Sequence, residues 1–229
     1  QTAADLGFPS VQALKAAVAT RIAEWTQAGG FLFAMCLAAD SLDVALAARG
    51  IDIVPAQIDG TPADPNANRR LDFSSTFAFR DFRIEQNAAA SEIADIDVQP
   101  PNPGVSSRGE TFELFEFSAK QDPICTMLVQ CHTNLVLDFL GQTSAFRRSA
   151  LKDTLIVLGD FPGEDKVKYI HGDYGKGTFT FYAGHDPEDY AHLVGEPPTD
   201  LSLHKHSPGY RLILNNILFP AAKVRQRKT

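Results

Sequence analysis

The stretch WTQAGGFLFAMCLAAD, residues 25–40, decides the fold. Its centre, Phe31-Leu32-Phe33-Ala34-Met35, is a short, unbroken apolar run, the pattern of a strand buried on both faces. Upstream, Val11, Leu14, Val18 and Ile22 recur at helical spacing behind Ser10, a residue suited to an N-cap. A helix is therefore expected over residues 10–28, stopped by Gly29-Gly30. Downstream, residues 38–49 read as a second helix closed by Gly50. Helix, buried strand, helix is the unit of a mostly parallel sheet covered on both faces. The expected fold class is α/β, a three-layer sandwich with a mostly parallel sheet.

Working outward, residues 52–122 change character. Pro55, Pro62, Pro65, Pro100, Pro101 and Pro103 punctuate short aromatic runs, which predicts an irregular inserted subdomain with a few short strands. Regular structure resumes at residues 125–136 and continues with a buried strand over residues 154–158. A hairpin is expected from residues 166–171 and 177–183, turning through Gly172-Asp173-Tyr174-Gly175-Lys176-Gly177. Its second strand runs into Gly184-His185-Asp186. A last helix begins at Ser207-Pro208, with proline at the first helical position. The whole, residues 1–229, reads as a single domain carrying the insertion.

Composition narrows the function classes. The 229 residues are 44% hydrophobic and carry a net charge of −7. That balance argues against a general nucleic-acid binder, which presents a basic face to phosphates. The basic tail Lys223, Arg225, Arg227, Lys228 reads as solvated. Three cysteines, Cys36, Cys125 and Cys131, do not make a disulfide framework. No apolar run is long enough to span a bilayer. The first residue is Gln1 rather than Met, and the expectation is that a leader was removed or that this chain is the later, C-terminal part of a longer protein. Compartment is left open.

Two residues stand where a parallel sheet does chemistry. Cys36 closes the buried strand and opens a helix, at the carboxyl edge where open α/β folds bind ligands. The helix beyond it offers free N–H groups and a positive dipole end to a thiolate or an oxyanion. His185 closes the later strand, with Asp186 and Glu188 close by to orient its ring as a general base requires. The remaining candidates are weaker. His204 and His206 lie in a polar loop and are read as exposed rather than metal-bound. Cys131 and His132 point to opposite faces if they share a strand. His171 reads as a hairpin-end residue, and Arg147-Arg148 as a solvated helix face. No glycine-rich phosphate loop is present, so no nucleotide is expected; no other cofactor and no metal is expected either.

Residues 25–40 also resemble the helix, Gly-Gly, strand and elbow of class I glutamine amidotransferase-like proteins. That family's elbow reads Gly-x-Cys-x-Gly, and Ala34 and Ala38 replace both glycines here. Residues 175–188, GKGTFTFYAGHDPE, resemble the strand that carries the family's His-Pro-Glu. They are closer still to the G-K-G, Y, G-H-D pattern of the trehalose-utilisation (ThuA-like) branch. The segments GGFLFAMC, GQTSAFRRSALK, YIHGDYGKGTFTFYAGHDPEDY and SPGYRLILNNILFPAAK are similar to bacterial proteins, chiefly from the Bacteroidetes, labelled asparagine synthetase B. A glutamine-dependent synthetase of that name resembles a different architecture, with an N-terminal cysteine and a Ser-Gly-Gly-x-Asp-Ser nucleotide loop, which has no counterpart in this chain.

The resemblance implies a flavodoxin-like sheet, with Cys36 as nucleophile, His185 as base and Glu188 as the orienting carboxylate. Two residues separate His185 from Glu188 where the family has one, so Asp186 is the alternative partner. It further implies earlier strands than this chain supplies, placed before Gln1 or on a partner chain. Two functions are carried forward. One is a hydrolase or transferase acting on a small amide through a Cys36 thioester. The alternative is a non-catalytic binding domain for a carbohydrate or a protein partner, with Cys36 inert and Phe73, Phe77 or Tyr190 lining its cleft.

Overall fold

The computed structural model describes residues 2–87, 89–90, 92–98, 111–115, 134–137, 144–184, 195 and 197–218. A single helical turn, α1 (Thr2–Asp5), precedes α2 (Val11–Gln27), which Ser10 caps by accepting the Ala13 N–H at 3.1 Å. The apolar run forms β1 (Phe31–Met35), followed at once by α3 (Leu37–Ala47). Short helices α4 (Ala56–Asp59) and α5 (Ala67–Arg70) and the strand β2 (Thr111–Leu114) lie in the proline-rich segment. Then come β3 (Leu135–Leu137), β4 (Phe146–Arg147), β5 (Ile156–Asp160), β6 (Lys166–Tyr174), β7 (Gly177–Tyr182) and α6 (Pro208–Leu218).

Among the described residues the seven strands form one open sheet in the order β1-β7-β6-β5-β2-β3, with β4 beside β6. The expectation of a mostly parallel, flavodoxin-like sheet is overturned. Only β1 and β7 run parallel; every other pairing is antiparallel. The reason lies in the connections. Gly175 and Lys176 alone separate β6 from β7, and a short turn separates β5 from β6. Such links reverse the chain, whereas a parallel neighbour needs a crossover of a dozen residues or more.

Side chains sort into two buried clusters by strand parity. Ile170 and Phe181, opposite one another, belong to the larger cluster with Ala19 and Ala23 of α2 and Leu42 and Leu46 of α3. Their neighbours Tyr169 and Tyr182 belong to the second, with Phe112 and Leu212 of α6. Helices thus cover both faces. The proline-rich segment packs into the larger cluster through Phe77, Phe79 and Phe82. Asp43 secures it there: the buried carboxylate accepts the N–H groups of Phe77, Ala78 and Phe79 at 2.6 to 2.9 Å.

The glycines flanking Lys176 have a steric explanation. The β6–β7 turn docks against the end of α2, where Lys176 N–H reaches the Gln27 carbonyl and Thr178 N–H reaches that of Gly30. A Cβ at Gly177 would run into the carbonyl oxygens of Thr26 and Gly30, both backbone atoms with no freedom to yield. We expect Gly177→Ala to destabilise the fold by about 1–3 kcal/mol, the usual range for overpacking. Urea unfolding checks this. A midpoint within error of wild type would show that the docked turn relaxes freely.

Candidate functional site

The site is built at the exit of β1 and β7, the one parallel pair among the described residues. β1 ends at Met35, and Cys36 takes φ 54° and ψ −141° before α3 begins. A non-glycine residue with positive φ is strained, and such strain persists only where its surroundings hold it. Two contacts supply the hold. The Cys36 N–H donates to the Tyr182 carbonyl at 2.9 Å and to the Gly184 carbonyl at 3.1 Å. The residue is half-buried, with a free thiol. The first amides of α3 follow directly, as an oxyanion site requires. The elbow accommodates both alanines: Ala34 packs in the core and Ala38 is exposed, so neither methyl is excluded.

The other expected site residues, His185, Asp186 and Glu188, lie outside the described residues, as do Tyr190, Cys125, Cys131 and His132. Their predecessor Gly184 is described. It holds φ 133°, and its carbonyl is bound to the Cys36 amide.

Several lesser expectations are corrected. His171 sits within β6 rather than at its end. It is buried, with Nδ1 3.0 Å from the Thr180 hydroxyl. Burial lowers its pKa to about 4, against a smaller opposing pull from Asp173, so it is neutral at pH 7. Arg147 and Arg148 do not form a solvated helix face. Arg147 pairs with Asp95 at 3.0 Å, and Arg148 pairs with Asp160. Phe77 is buried and stacks on Tyr174 at 4.1 Å, and the half-buried Phe73 meets Phe82 edge-on. His204 packs against Tyr210 at 5.3 Å. Among the described residues no group of histidines, cysteines and carboxylates is arranged to hold a metal.

Sequence reading missed the buried charges beneath the elbow. Lys168 of β6 has no solvent exposure and donates to the Ser144 carbonyl at 2.6 Å. Asp40, one turn into α3, is equally buried; its carboxyl takes the Ser41 N–H at 2.9 Å and faces Asp97. Asp97 bridges to Phe146 of β4, so this pair of carboxyls joins α3 to the proline-rich segment. The one available signal was a charge set among apolar residues, as in Leu37-Ala-Ala-Asp-Ser-Leu-Asp-Val. Further along α3, a mostly apolar groove of about 410 Å³ runs between α2, α3 and the segment holding Ile53, Ile84 and Ile93, and Cys36 is not among its walls.

With the geometry in place, comparison of the chain with protein-family models and with curated proteins gives no match. None of the described helices is long and apolar enough to cross a membrane.

The carboxyl pair has a pH signature. Burial first, and the charge of Asp97 second, push the Asp40 pKa up to about 9 from 3.8. The folded chain keeps this proton where the unfolded chain releases it, so folding stability falls as pH rises between those values. Asp40→Asn stays neutral at every pH and removes this share of the loss. We expect the urea midpoint of wild type to drop further between about pH 5 and about pH 8 than that of Asp40→Asn. Parallel pH dependences would mean that Asp40 is ionised in the folded chain.

Proposed function

We propose that this chain is a class I glutamine amidotransferase-like protein that cleaves or transfers a small amide through Cys36. One observation carries the reading. Cys36 stands in a positive-φ elbow between strand and helix, and its amide is tied to the carbonyl of Gly184, the residue covalently bonded to His185. A nucleophile elbow needs this local geometry: a sharp, strained turn that lifts the side chain above the sheet edge, with helix amides behind it. Among the described residues the parallel pairing is that of β1, which Cys36 follows directly, with β7, which His185 follows three residues on in the sequence.

The chemistry runs in two steps. The Cys36 thiolate adds to the carboxamide carbon while backbone N–H groups at the elbow stabilise the oxyanion. Collapse breaks the C–N bond, and ammonia leaves with a proton donated by His185. Water, deprotonated by His185, then attacks the thioester and releases the carboxylic acid and the free thiol. Glu188 orients the imidazole, with Asp186 as the alternative. The alternative is a non-catalytic binding domain on the same scaffold; of the side chains named for its cleft, Phe77 is buried, Phe73 is half-buried and Tyr190 lies outside the described residues.

Iodoacetamide at neutral pH tests the proposal. Cys36 of the folded protein is expected to be carbamidomethylated faster than Cys125 and Cys131, with the rate lost in His185→Ala. Ammonia release from a panel of small amides should fall by ~10³-fold or more in Cys36→Ala, as loss of a nucleophile does. A Cys36 no more reactive than a free thiol, with or without His185, would refute the nucleophile reading.

A further inference from the structure

Lys168 is a fully buried lysine within the sheet. It lies in β6, where its carbonyl accepts the Ala183 N–H at 2.9 Å, and no part of it reaches solvent. An ammonium taken out of water is costly unless its donors are used, and an apolar residue of similar length is often as stable in its place. Packing alone therefore does not explain a lysine here.

Its surroundings do. Nζ donates to the Ser144 carbonyl at 2.6 Å and lies 5.6 Å from the centre of the Tyr182 ring. It also meets Gly184. A Cβ on that residue would lie 3.1 Å from Nζ and 3.4 Å from Cε. Gly184 holds φ 133° and accepts the Cys36 N–H. Tyr182, the other acceptor of that N–H, carries the ring beside the ammonium. Both residues that hold the cysteine amide therefore touch or border Lys168.

We propose that Lys168 is a positioning residue, whose ammonium fixes the strand exit at residues 182–184 and, through it, the strained backbone of Cys36. Its part in a reaction rests on the reading of Cys36 as nucleophile; its hold on the backbone does not. The lysine acts from behind the sheet exit by setting where two carbonyl oxygens stand.

Amide hydrogen exchange read residue by residue by NMR tests this in Lys168→Met, which is unbranched, one heavy atom shorter and uncharged. Exchange at Cys36 should rise about tenfold, the worth of one charged hydrogen bond, while Phe33 within β1 stays as in wild type. Carbamidomethylation of Cys36 should slow by a similar factor. In Lys168→Ala, ethylammonium should restore Cys36 protection and propanol should not. Unchanged exchange at Cys36, an equal rise at Cys36 and Phe33, or equal rescue by propanol would each overturn the proposal. If neither variant folds, the wild type decides. The ¹⁵N resonance of the Lys168 ammonium should move when Cys36 is replaced by serine, and a fixed resonance would overturn the assignment. A wild-type Cys36 that ignores iodoacetamide sinks the nucleophile reading alone, since amide exchange does not depend on thiol reactivity.

Discussion

The bifurcated hydrogen bond from the Cys36 amide to the carbonyls of Tyr182 and Gly184 is the contact on which the architecture turns. It ends the parallel ladder of β1 and β7 and holds a non-glycine residue at φ 54°. The elbow sets where α3 begins, and α3 carries Asp40 and Asp43 into the interior. Without the two carbonyls the strained residue would relax toward negative φ, and the helix would leave the sheet at another angle.

The proline-rich segment is fastened by polar contacts as much as by packing. Asp43 gathers three backbone N–H groups from residues 77–79, and Asp97 meets Asp40 from the strand-like stretch beside β4. Hydrogen bonds to a buried charge are among the stronger single contacts in a fold, about 1.5–3 kcal/mol each. Burial nonetheless raises the Asp43 pKa to about 6, so the three donors offset only part of its desolvation. Specific donors at fixed positions register the segment on α3 more tightly than its phenylalanines would alone.

Local signals in the sequence were the legible ones. Ser10 as a cap, the apolar run of β1, the helix beyond Cys36, the β6–β7 hairpin and the helix opening at Pro208 all follow from a few neighbouring residues. Strand direction was not legible, because an apolar run such as residues 154–158 reads alike in parallel and antiparallel sheets. The spacing between β5 and β6 held the answer, and a turn that short admits only reversal. Cys36 was legible as a strand-end residue, whereas its positive φ depends on acceptors at positions 182 and 184. Lys168 and Asp40 were opaque for a related reason. Their partners Ser144 and Asp97 lie far off in the chain, so nothing nearby distinguishes them from solvated charges.

The pairing of β1 with β7 also bears on how the chain reaches this structure. Phe31 pairs with Thr178, and among the described residues β1 has no other strand neighbour. During synthesis the segment with the future elbow emerges before the hairpin that supplies its partner and waits for it. Such long-range closure slows folding and leaves apolar strands open to wrong pairings in the interval. Phe31-Leu32-Phe33-Ala34-Met35 has neither charge nor proline to deter them. The docked β6–β7 turn, gripped by the end of α2, doubles as a register mark: it seats the hairpin at one height against β1 and so selects which carbonyls meet the cysteine amide.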